Sequence, residues 1–299
     1  MRKNDKQEGI SEVFEAALST IKDKPVATFG PISFIDYLKS NGYPKMGAAA
    51  AISIDSYERL HQSIKSNSAM VMRLGQTKGG SGTQFALVKV QDKLDDFFLI
   101  DDMIFNSVGT EYVPAVNVEQ LKIFSILPSL TEKSYVNLGF SSGLISYALG
   151  IDHIKPIFPP ASCNSTYTFE FRPHSSISDV FIHNRGQVEI DAMFIEKRNN
   201  KETLFVLEAK SDTSHKSLAK HKLLYPVLGI ASSVPKNIEI VPVYIKIRTS
   251  CRGIHYHIVE CSIPDPRIYT VAYNELVMSK YTHLILNLSN NSDSFLNVD

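Results

Sequence analysis

Hydrophobic positions change rhythm along the chain. In the first half they recur at helical spacing in three places: residues 11–18, with Ser11 as a cap, 32–38, ending at Asn41-Gly42, and 55–64, with Asp55 or Ser56 as a cap. Two alternating runs follow at 69–74 and 84–90, joined by the glycine-rich stretch Gly75 to Gly82. Helical spacing returns at 118–127 and 135–149, and then Lys155-Pro156-Ile157-Phe158-Pro159-Pro160 interrupts the chain. Beyond this break, alternation of period two dominates, at 166–171, 187–197, 203–210, 238–247 and 253–262, with a helix expected over 217–230.

This pattern predicts an α/β (α+β) protein of two parts, 1–155 mostly helical and 156–299 built on a mixed sheet. Three helices and a hairpin give the first part the outline of a winged helix, a plausible DNA-recognition domain. Arg59 and Lys65 on or after the third helix, with Arg73 and Lys78 at the hairpin, are its candidate DNA contacts. The glycine stretch is a hairpin tip and not a nucleotide cradle, because Lys78 precedes the glycines instead of following them.

The runs 187–197 and 203–210 flank the polar turn Arg198-Asn199-Asn200-Lys201-Glu202. A tight turn sets Lys197 opposite Glu202, Asp191 opposite Glu208 and Glu189 opposite Lys210. Strand alternation then gives one face Glu189, Asp191, Met193 and Ile195, and the other Ile190, Ala192 and Phe194 against Ala209, Leu207 and Phe205. One face is apolar, and the other becomes charged at one end. Opposed β-carbons about 5 Å apart let Asp191 and Glu208 share a divalent ion. Magnesium there would polarise a phosphodiester and acidify a bound water, with Lys210 orienting that water or stabilising charge on phosphate oxygens.

Ile190-Asp191 followed by Glu208-Ala209-Lys210 resembles the PD-(D/E)XK nuclease superfamily, whose best-known members are type II restriction endonucleases. Ile190 stands where the family usually has proline, and Glu189 resembles the extra acid of some members. The resemblance covers about residues 166–258. It implies an αβββαβ core, one or two Mg²⁺ ions on Asp191 and Glu208, and catalysis assisted by Lys210 and Glu189. It also implies double-stranded DNA as substrate, a homodimer matching a symmetric site, and a cognate methyltransferase in the same system. Lys216, Lys220 and Lys222 are expected as a phosphate-contacting stripe along the following helix, with Tyr225 supporting the site. The rival readings are a non-catalytic DNA-binding protein on a nuclease-like scaffold and a structure-specific or repair nuclease.

Composition changes this little. The 299 residues are 43% hydrophobic and 21% charged, as in ordinary globular proteins, and the net charge of zero gives no overall basic signature. Three cysteines suggest a reducing interior. The polar N-terminus and the lack of a roughly 20-residue apolar run predict a cytoplasmic protein without a membrane partner. Cys251, His255, His257 and Cys261 form a C-x₃-H-x-H-x₃-C array. Its end residues would lie about 30 Å apart on an extended strand, so these read as ordinary strand residues, not four zinc ligands.

Overall fold

The computed structural model describes residues 12–43, 51–77, 79, 82–114, 116–152, 159–211 and 214–288. Its strands, in chain order, are β1 (Val26–Ser33), β2 (Ala69–Gln76), β3 (Thr83–Val90), β4 (Phe98–Ile100), β5 (Thr110–Tyr112), β6 (Ala161–Phe171), β7 (Phe181–Arg198), β8 (Lys201–Lys210), β9 (Ser217–Ala219), β10 (Glu239–Ser250), β11 (Gly253–Ser262) and β12 (Val277–Leu286). β4 and β9 pair with each other. The other strands form one mixed sheet in the order β1-β3-β2-β7-β8-β10-β11-β12-β5, with β6 also paired to β7.

The central hairpin forms as its turn chemistry dictates. Asn199 and Asn200 both take positive φ (53° and 60°), the backbone of a tight two-residue turn that asparagine tolerates. Asp152 accepts both turn amides, at 2.7 and 2.8 Å. Lys197 therefore faces Glu202, and the ladder runs down to Ala192 opposite Leu207. β8 continues through the His221–Ala231 helix to β10, which lies parallel to it, as a helical crossover permits.

Helices cover both faces of the sheet. The Glu132–Ser141 and Leu144–Ala148 helices pack on Phe205, Leu207, Ile245 and Tyr256. Gly143, at φ 78°, separates these helices where one long helix was expected. The His221–Ala231 helix packs on the opposite face, where Val227 and Ile230 meet Ile190, Leu204 and Val206. The result is a mixed α/β fold around one large sheet. No described helix is long and apolar enough to cross a membrane.

The first half departs from the expected three helices and free hairpin. The Glu15–Ile21 helix forms, but β1 precedes the second helix, Phe34–Ser40. The third is reduced to a 3₁₀ turn, Tyr57–Arg59, and a five-residue helix, Gln62–Ser66. The β2–β3 hairpin, with β1 beside it, joins the main sheet where Gly75 pairs with Asn184. Gly75 has φ 83°, and a β-carbon there would lie 2.4 Å from the Asn184 carbonyl oxygen. Phe34 and Phe85 share a core cluster with Tyr225 and Tyr244 from the second half. The expected boundary at 155/156 lies outside the described residues.

One face assignment needs correction. Ala161 pairs with Met193 and Cys163 with Ile190, so β7 carries one more residue than β6 across this interval. Such a bulge reverses the facing of the strand. Ile190 accordingly packs with Leu204 and Val206, while Ala192 and Phe194 pack on the opposite face with Phe205 and Leu207. Neither face of the hairpin is polar along its length.

Candidate active site

The bulge and the end of the β7–β8 ladder coincide at Asp191. Past Leu207, the β8 residues Glu208, Ala209 and Lys210 pair with Tyr244, Ile245 and Lys246 of β10. Asp191 Oδ2 accepts the Ala209 N–H at 3.1 Å, so the carboxylate is fixed at the point where the strands part.

Glu208 is buried, at 2% exposure. Its Oε1 lies 2.7 Å from Lys210 Nζ and 3.5 Å from Lys222 Nζ. These contacts are held by charge, with no aligned hydrogen bond to that oxygen. Burial, reinforced by the Asp191 charge, pushes the Glu208 carboxyl up to about 7 against the pull of the two ammonium groups. For Lys210 the balance goes the other way. Burial opposes its charge, but Glu208, Glu132 and Asp191 outweigh it and raise the pKa, which keeps the ammonium protonated.

Glu132 was not anticipated from the sequence. It opens the Glu132–Ser141 helix, which Thr131 caps by accepting the Ser134 N–H. Its Oε1 lies 3.5 Å from Lys210 Nζ, and its Oε2 accepts the Ser211 N–H at 2.8 Å. The only local signal was an acid in the first turn of a capped helix, which is common for its dipole alone. Glu189 is exposed on β7 and lines two cavities. One, of about 510 Å³, also takes Glu132, Asn164 and Asp191. The other, of about 240 Å³, takes Asp55, Arg73, His221 and Lys222.

The expected basic stripe is dispersed. Lys216 is exposed, Lys220 is buried at 6% with its pKa lowered by burial, and Lys222 turns to Glu208. The helix begins only at His221, after Ser217–Ala219 has paired with β4, so the three lysines do not share one helical face. Tyr225 is buried, and its hydroxyl donates to the Arg73 carbonyl at 3.4 Å. Arg73 Nη1 donates to Ser53 Oγ at 3.3 Å, and Arg59 pairs with Asp55 at 3.0 Å. Lys65 lies over the Tyr57 ring, 4.6 Å from its centroid. Lys78 lies outside the described residues.

Residues 104–281, more than half of the chain, match the family described as a domain of unknown function, DUF6997. The chain belongs to the DUF6997 family. The matched DUF6997 region contains Glu132, Glu189, Asp191, Glu208, Lys210 and Lys222, while β1–β3 precede it. No curated protein and no solved structure matches the chain.

Proposed function

We propose that this protein is a magnesium-dependent endonuclease of the PD-(D/E)XK type that hydrolyses phosphodiester bonds in double-stranded DNA. The observation that carries this reading is the convergence of Asp191, Glu208 and Lys210 where β7 and β8 part. The element order supports it. A helix at 132–141 precedes antiparallel β6, β7 and β8, and then a crossover helix leads to β10, parallel to β8. This is the order expected of a restriction-endonuclease-like core.

The donor set fits a hard divalent ion. The Asp191 carboxylate lies close enough for its charge to raise the Glu208 pKa, and Glu208 Oε1 is a buried oxygen lacking an aligned hydrogen bond. When bound, Mg²⁺ supplies phosphate polarisation and acidification of a coordinated water. Asp191 is positioned by the Ala209 amide, and Glu208 is held by Lys222 and Lys210. The charged Lys210 is suited to orienting water by donating hydrogen bonds and to stabilising negative charge on phosphate oxygens. Glu189, exposed beside the cavity containing Asp191, is placed to support an ion or its water. Type II restriction by a homodimer, with a cognate methyltransferase, is the specific form we assign to this activity.

The deciding experiment incubates unmodified phage and plasmid DNA with Mg²⁺ and compares wild type with Asp191→Ala and Lys210→Ala. Discrete fragments should appear with wild type, and each variant should be slower by at least about 10²–10³-fold. Equal cleavage by all three proteins, or binding without cleavage by wild type, overturns the assignment.

A further inference from the structure

A second constellation lies across the sheet from the carboxylates. β10 and β11 set Lys246 opposite His257, and β11 and β12 set His257 opposite His283. His255, two residues along β11, falls on the same face as His257. Each of the three imidazoles offers a ring nitrogen, and these nitrogens lie within 4.8 Å of one another. The rings of His257 and His283 stack with centroids 4.0 Å apart.

We propose that His255, His257 and His283 form a binding site for a divalent transition-metal ion, Zn²⁺ in the first place, separate from the carboxylate site and independent of the nuclease reading.

The outer nitrogens carry the argument. His255 Nε2 is 2.7 Å from Ser250 Oγ, His257 Nδ1 is 2.7 Å from Tyr281 Oη, and His283 Nδ1 is 3.1 Å from the Ser107 carbonyl oxygen. A carbonyl only accepts, so His283 Nδ1 bears the proton and its Nε2 presents a lone pair. That Nε2 lies 3.0 Å from His255 Nδ1. Each ring is thus engaged through one nitrogen by an oxygen group, the arrangement that orients histidine ligands around a metal. Metal binding would shift the His255 proton from Nδ1 to Nε2, where Ser250 Oγ can accept it. Metal–nitrogen bonds of about 2.0–2.1 Å put tetrahedral ligand atoms about 3.3 Å apart. His255 Nδ1 and His283 Nε2, at 3.0 Å, are already near that spacing, and all three ligand atoms lie within 4.8 Å.

The surroundings leave room for the rings and keep them in place. Phe105 stacks on His257 with centroids 4.5 Å apart. Gly109 passes so close that a β-carbon would meet His283 Cε1 and Nε2 at 2.8 Å. Of the flanking cations, Arg248 is tied to Asp101 at 2.9 Å and Lys246 donates to the His215 carbonyl at 2.9 Å. His255 and His283 are part exposed, so a water can complete a three-histidine site. All-nitrogen ligation selects borderline ions such as Zn²⁺ over Mg²⁺, which prefers oxygen. Cys251 and Cys261 stand apart from the three histidines. Cys251 is exposed at the β10–β11 turn, while Cys261 is buried in the core cluster containing Tyr244.

The test uses the full chain with any affinity tag removed, titrated with Zn²⁺ by calorimetry and assayed for metal after dialysis. Wild type and Asp191→Ala should each retain one equivalent. The double variant His257→Ala/His283→Ala should retain none, and Tyr281→Phe should bind about 10–100-fold more weakly. Removing two stacked rings can disturb folding, so the wild type also decides through Co²⁺ substitution, which should give the visible d–d bands of a nitrogen-ligated ion. Absence of those bands, no zinc retained by wild type, or equal retention by the double variant overturns the site. Loss of zinc in Asp191→Ala would place the ion at the carboxylates and overturn it as well.

Discussion

Lys210 Nζ lies 3.5 Å from Glu132 Oε1, joining a helix of one face to a strand-end cation 78 positions later in the chain. The same carboxylate holds the Ser211 amide, so it secures the backbone immediately after the lysine. Glu132→Gln, which keeps an acceptor for that amide, should leave stability nearly unchanged. Glu132→Ala should cost about 1 kcal/mol, a modest value because both side chains are partly exposed. Urea denaturation of the two variants checks this, and in a cleavage assay Glu132→Ala should be the slower.

Glu208 titrates near 7 in the folded protein against an ordinary value of 4.5. The folded state therefore retains a proton that the unfolded chain releases, and the resulting stabilisation is lost as pH rises from about 4.5 through about 7. The loss is on the order of 3 kcal/mol without divalent ions, and Glu208→Gln should abolish it. Mg²⁺ requires the ionised carboxylate, so its stabilising effect should be larger at pH 8 than at pH 6. Thermal melts at both pH values, with and without Mg²⁺, test the sign.

Lys222, with Lys210, lowers the Glu208 pKa against the effect of burial. Lys222→Met should raise that pKa further and move the acidic limb of the Mg²⁺-dependent cleavage profile to higher pH. Lys216→Met, at an exposed position, should leave the limb in place. A shared displacement would mean that general charge, not the Glu208 contact, sets the profile.

Gly75 is confined by both conformation and space. Gly75→Ala should destabilise by at least about 2 kcal/mol, because positive φ and a backbone clash act together. Gly150 also has positive φ, at 64°, but open space around it. Gly150→Ala should cost only about 1 kcal/mol. Denaturant midpoints of the pair separate the two effects.

The sequence made the central hairpin legible because its signals were local. Two alternating runs met at Asn199-Asn200, and those residues imposed the pairing of Lys197 with Glu202. The bulge beyond Ala192 was hidden, because Ile190, Ala192 and Phe194 keep apolar alternation while serving different clusters. Glu132 and His283 depend on contacts distant along the chain, and no local spacing encodes them. The lysine stripe failed because helical periodicity was extended through Ser217–Ala219, which pairs as a strand. In the first half, β1 carried no signal of its own: the helical spacing at 32–38 takes in only its last two residues, Ile32 and Ser33, before the Phe34–Ser40 helix begins.

The extra residue of β7 between Ile190 and Met193 sets the phase between the two halves of the strand. Deleting Asp191 would restore even pairing with β6 and leave Ile190 and Met193 on one face with Ala192 on the other, so both flanks would keep their layers. A substitution at Asp191 removes a carboxylate. A deletion at the same place removes the carboxylate and the bulge together, whereas a one-residue insertion in the regular ladder on either side would carry one flank of the strand to the wrong layer.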